Sequence, residues 1–327
     1  VAMFAYVGEE AAFKNVTLEN VDIKSARNAA GLLFCNYKDA SAAYNGGNLL
    51  IENVTVSGNI ECPNYAAGIA FDLANVTMKN CVNNANVVAG ASAGLVAWIE
   101  KNGVLENVVN NGNVFGGTTA AGIANRFGGS IKNATNNGEI TAEGPMPAAG
   151  IVAVNLTTST YDYCYNYGKV VSKYNDANAS AAGILGQASS TKQVPTFNYC
   201  ANFGEIVAEQ SHASGIFYSL YGAATANYCY NAGVVTGADG AGAIAAKPEF
   251  SGSNKINYCL DGGVATATAA INAKGKNVYT SCYYYNNGEL LNVADNAVVA
   301  VDAALAVLNG GADADFFVEE NGVIVVK

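Results

Sequence analysis

Short apolar runs, each broken within a few positions by glycine or asparagine, recur along almost the whole chain in two alternating modules. In the first, small residues lead into Gly and an aliphatic residue: AAGLLF around Gly31, AAGIAF around Gly68, SAGLVA around Gly94, AAGIAN around Gly122, AAGIVA around Gly150, AAGILG around Gly183 and ASGIFY around Gly215. In the second, an Asn stands two residues before a Gly and an aliphatic residue two after it, as in YDYCYNYGKV at 161–170, FNYCANFGEI at 197–206, ANYCYNAGVV at 226–235 and INYCLDGGVA at 256–265. IENVTVSGNI at 51–60, MKNCVNNANV at 78–87, LENVVNNGNV at 105–114 and IKNATNNGEI at 131–140 keep the same frame, and SCYYYNNGEL at 281–290 reads as its last copy. The chain is a tandem repeat.

The runs are too short for helices and are punctuated by glycine, which predicts strands and turns, three strands to a unit. Units of that kind, 26 to 37 residues from glycine to glycine, predict an all-β fold: a right-handed parallel β-helix of about ten coils, with the hand taken from the preference of parallel crossovers. Ile60, Val87, Val114, Ile140, Val170, Ile206, Val235, Ala265 and Leu290 form one inward apolar column. Asn83, Asn110, Asn136, Asn166, Asn202, Asn231 and Asn286, with Asp261 once in their place, predict a hydrogen-bonded ladder at a turn. The Asn-x-Thr triplets at Asn15, Asn53 and Asn133 fall in the repeat frame and are not read as glycan acceptors.

The repeat domain spans 1–290 and a capping segment 291–327. In the cap, 297–309 has helical spacing up to Gly310, and 315–327 reads as a hairpin turning at Asn321-Gly322. Residues 3–7 and 13–23 match the two modules, so the sequence starts inside a repeat and upstream coils or a cap are expected. Longer loops fall at 37–48, 155–160, 172–180, 187–196 and 247–255.

These modules resemble the GLUG-type repeat, in which a Gly-Gly-Leu-hydrophobic-Gly segment alternates with Ile-x-Asn-Cys-Tyr-Asn-x-Gly-x-Val. Residues 149–185 contain both in order, and the similarity extends to about 290, with Ala replacing the first glycine of the pair. The resemblance implies a secreted or surface-attached bacterial protein, adhesin-like or an accessory region of IgA-protease-like proteins, with no catalytic residues or cofactor of its own.

Composition narrows the function classes. A formal charge of −10, with Arg27 and Arg126 as widely separated arginines, disfavours nucleic acid, which requires clustered cations. No apolar run is long enough to span a bilayer. Host or microbial surface glycans and proteins remain as partners. A zinc peptidase centre needs two histidines one turn apart, and the chain has only His212, in a polar stretch read as a solvated loop. A carbohydrate-active enzyme on this fold needs converging carboxylates. The column after the second glycine, which reads Asn59, Asn86, Asn113, Glu139, Lys169, Glu205, Val234, Val264 and Glu289, does not supply them. Neither catalytic nor metal residues are therefore assigned.

Cys81, Cys164, Cys200, Cys229 and Cys259 share one column with Val54, Val108 and Ala134, which predicts reduced, buried thiols. Cys35, Cys62 and Cys282 lie off that frame. The candidate ligand-binding residues are aromatic: Tyr163, Tyr199, Tyr228 and Tyr258, one place before the cysteine column, and Tyr165 and Tyr230, one place after it. Strand alternation turns them outward, where they either stack on one another or form a contact platform.

Overall fold

The computed structural model describes residues 1–8, 10–36, 47–188, 192–218, 222–246, 253–263, 265–266, 277–310 and 316–327. Val264 and most of the loops at 37–48 and 247–255 lie outside the described residues. The chain forms a parallel β-helix in which each coil pairs in register with the next. The inward column runs Ile60, Val87, Val114, Ile140, Val170, Ile206 and Val235, each opposite its counterpart in the following coil, and the backbone of Val235 pairs with that of Ala265. A second interior file stacks the rings of Tyr161, Phe197 and Phe217 at 5.0 Å.

Coils of the C-terminal half contain five short strands where three are expected. One coil runs Ala148–Ala149, Val152–Asn155, Thr160–Asp162, Tyr165–Asn166 and Val170–Ser172. The extra breaks are bends, one at the Gly-Ile pair and one at the residue before the cysteine column. That residue is left-handed in every coil: Asn15, Asn53, Asn80, Asn107, Asn133, Tyr163, Tyr199, Tyr228, Tyr258 and Ser281 all have φ between 51° and 56°. Among the described residues ten such bends mark ten coils. Asparagine suits them because its short amide bonds locally in that conformation. The five asparagines also bond one another from coil to coil at 2.9–3.2 Å.

The expected Asn ladder forms in the interior. Nδ2 of Asn83 donates to Oδ1 of Asn110, and the relay continues through Asn136, Asn166, Asn202 and Asn231 to Asp261 at 2.8–3.2 Å. Each of these asparagines also donates to the carbonyl two residues on, as Asn166 does to Gly168 at 2.8 Å. All are fully buried, so the ladder satisfies amides that water cannot reach. The glycine module faces it: a Cβ on Gly150 would lie 2.4 Å from Oδ1 of Asn166 and 2.2 Å from the carbonyl oxygen of Gly183 in the next coil. The two sequence modules are thus two sides of one close contact.

The last copy of the repeat is corrected by the structure. Cys282 lies within hydrogen-bond reach of the Cys259 amide at 3.5 Å, and Tyr283 and Tyr284 pair with Leu260 and Asp261. Cys282 therefore belongs to the cysteine column, and Asn286 lies outside the ladder. Asn286 is exposed beside a tight turn, with Asn287 at φ 51° and Gly288 at φ 84°, that folds Glu289–Asn292 back antiparallel onto Tyr283–Asn286. Asn-Gly is the strongest short hairpin signal, and here it overrides the repeat frame. Leu290 consequently leaves the inward column and faces Tyr285 across the hairpin. The antiparallel strand occupies the edge that the last coil would otherwise expose.

Beyond it, a helix at Val301–Asn309 buries Ala304 and Leu308, and a hairpin of Phe317–Glu320 and Val323–Val326 turns at Asn321-Gly322. The helix and hairpin lie on the side of the solenoid, packed with Ala201, Tyr230, Leu260 and Tyr283 in a second hydrophobic cluster. At the other end, Ala12–Lys24 pairs with Leu49–Glu61, and Phe13, Val16, Leu18, Val21 and Ile23 are half-buried.

Candidate functional site: an aromatic file on the outer corner

The left-handed bend places Tyr163, Tyr199, Tyr228 and Tyr258 directly above one another. Their rings stack at 4.9–5.0 Å with planes within 10° of parallel. Left-handed backbone is unfavourable for a bulky residue, by about 1–2 kcal/mol each, so the stack occupies a costly conformation that asparagine fills without strain in the N-terminal half. The tyrosines face outward because of this bend. Strand alternation, the basis of the sequence expectation, is interrupted at these residues.

Two features change what this file can contact. Stacked rings cover one another's faces, so the interior members present edges and hydroxyls to solvent rather than flat faces. The C-terminal segment also reaches the file: Phe316 meets Tyr199 edge to face at 5.1 Å and Tyr163 at 6.5 Å. All four tyrosines are half-buried.

Tyr165 and Tyr230 form a separate group. Tyr230 is 4% exposed and belongs to the cluster under the cap, so the expectation that it faces solvent is corrected. Tyr165 is half-buried beside the same cluster. Burial pushes both phenols up to about 12, which keeps them protonated at neutral pH. Sequence reasoning missed a third pair, Tyr167 and Phe203, stacked at 4.7 Å in the column just after the Asn ladder, with Tyr167 52% exposed. The signal was present in the parallel Asn-Tyr-Gly and Asn-Phe-Gly triplets.

No disulfide joins the cysteines among the described residues, and all of them but Cys35 are buried. Burial pushes the Cys81 thiol up to about 11, far from reactive thiolate character. A thiol reagent is expected to label Cys35 at most in the native protein and about eight thiols after denaturation without reductant. Recovery of four disulfide bridges by mass spectrometry would overturn this. His212 stands in the strand His212–Ser214, half-buried beside Tyr218 at 5.7 Å, and not in a solvated loop as its polar neighbours suggest. Among the described residues no three His, Cys, Asp or Glu side chains are placed to hold a metal, and no helix is long and apolar enough to cross a membrane. In the outward column Lys169 and Glu205 form an exposed ion pair at 2.7 Å.

These features define a parallel β-helix with aromatic files on its C-terminal half. No family model matches the chain, and no curated protein is significantly similar to it. One solved structure to which it is similar is that of a protein provisionally assigned as an immunoglobulin A1 protease from Bacteroides ovatus: 12% identity, TM-score 0.38, over 99% of this chain and 86% of the other.

Proposed function

We propose that the chain is a non-catalytic recognition module, secreted or held on the surface of a bacterium, that adheres to surface glycans or proteins. The observation that carries this reading is the four-ring tyrosine file, maintained in a backbone conformation that asparagine fills without strain elsewhere in the same molecule. Strain of this kind concentrates at functional sites. The resemblance of the modules to GLUG-type repeats agrees with an exported setting. Because the rings offer edges and hydroxyls, the partner is an extended surface or chain lying along the solenoid, held by many shallow contacts.

A second reading is favoured by Phe316, whose edge-to-face contacts make the file a seat for the C-terminal segment. The double substitution Tyr199→Asn and Tyr228→Asn separates the two. It installs the residue that the N-terminal coils use at this bend, so the lost stacking is partly offset and the net stability change is about 1–3 kcal/mol. On an array of glycans and host proteins, the intact chain is expected to be retained and the double variant lost. If the variant is retained as before, the file is scaffold. If the intact chain is not retained at all, the recognition reading fails.

A further inference from the structure

On the outer face of the N-terminal half, away from the tyrosine file, lies a cavity of about 250 Å³ lined in part by Asn64, Tyr65, Thr119, Asn125, Arg126 and Met146. Asn125 is 1% exposed. Its Nδ2 donates to the Ser92 carbonyl at 3.2 Å and to Oγ1 of Thr119 at 3.4 Å. The Thr119 hydroxyl is committed as a donor to the Pro147 carbonyl at 2.8 Å, so it offers Asn125 only a lone pair. This fixes the amide orientation and leaves Oδ1 of Asn125 with no partner among the described residues. A buried acceptor left unpaired is costly, and a donor from a bound group would relieve it.

The neighbouring residue supplies the opposite deficit. The Arg126 guanidinium lies 4.7 Å over the ring of Trp98, which holds it in place, and it forms no ion pair among the described residues. Its charge is felt by Glu100, whose carboxyl is nonetheless raised, first by burial and then by Asp72. An unpaired acceptor thus stands one residue from a cation that forms no ion pair among the described residues, and Tyr65 lines the same cavity. A group that both gives and accepts hydrogen bonds at adjacent atoms and carries an apolar face fits this set, and a sugar ring has that chemistry. The volume is just under the ~300 Å³ at which pockets hold drug-sized ligands, so it suits one ring.

We infer that this cavity is a binding subsite for a single pyranose residue, with Asn125 and Arg126 holding two adjacent hydroxyls and Tyr65 packing against the ring. The subsite rests on the recognition reading but uses none of the tyrosine file. Trp98 is the chain's only tryptophan and lies under Arg126, so its fluorescence reports on the site.

The test titrates the intact chain with methyl glycosides of glucose, galactose, mannose and N-acetylglucosamine while following Trp98 emission. At least one is expected to give a saturable change. Affinity should fall about tenfold or more in Arg126→Met, which keeps the stem over Trp98, and in Tyr65→Leu. It should be unchanged in the Tyr199→Asn, Tyr228→Asn double variant. Unaltered melting of Arg126→Met would confirm that the loss is local. A saturable signal that survives both cavity variants, or no saturable signal with any glycoside, overturns the subsite. Loss of array binding in the double tyrosine variant bears instead on the tyrosine file, so the two failures can be told apart.

Discussion

Gly150→Ala is expected to destabilise the protein by roughly 3–5 kcal/mol, because the new methyl must displace both a neighbouring backbone and the buried ladder. The added Cβ would lie 2.2 Å from the Gly183 carbonyl oxygen and 2.4 Å from Oδ1 of Asn166, distances that real contacts do not reach. Moving Asn166 breaks its bonds to Asn136, Asn202 and Gly168 together, each at a site without water. Gly117→Ala is the control, since its nearest neighbours would be 3.8 and 3.9 Å away. Denaturant melts should show a large loss for the first and little change for the second. Equal behaviour of the two would mean that the glycine column yields easily and that the ladder does not depend on it.

Asp261→Asn should stabilise the protein at neutral pH and remove part of its pH dependence. Asp261 is 1% exposed and takes the place of asparagine at the end of the ladder. Burial pushes its carboxyl up to about 7, against the smaller opposing effects of the Asn231 and Gly263 hydrogen bonds. An unfolded aspartate ionises near pH 4. Below that pH the group is neutral in both states. Between about 4 and 7 the unfolded chain releases the proton while the folded chain retains it, so stability falls as pH rises and levels off above 7. The integrated loss is of order 3–4 kcal/mol. The measurement is the difference in unfolding free energy between variant and parent at pH 4, 5.5 and 7.5, which cancels the other carboxylates. A difference that does not grow with pH would place Asp261 in a wetter site than the ladder geometry gives it.

Much of this architecture is legible in the sequence because a solenoid is nearly one-dimensional: each coil meets only its neighbours, so residues that recur at one place in the repeat share one place in space. The cysteine column, the inward aliphatic column and the Asn ladder follow from that alone, as do the C-terminal helix and its Asn-Gly hairpin. The same logic misplaced 281–290, where a local hairpin signal competed with the repeat frame and only pairing with the preceding coil decided between Asn286 and Tyr284 as the neighbour of Asp261. Three matters were decided by tertiary structure. The left-handed bend at the tyrosine file depends on backbone geometry that residue type does not announce, since tyrosine is an unusual occupant of it. The position of the cap beside the file, with Phe316 on Tyr199, is a long-range contact invisible to a repeat pattern. Asn125, at the end of the glycine module, is brought to one cavity with Arg126 and Tyr65 because successive coils stack in register, and only its hydrogen bonds to Ser92 and Thr119 determine which end of the amide is left over.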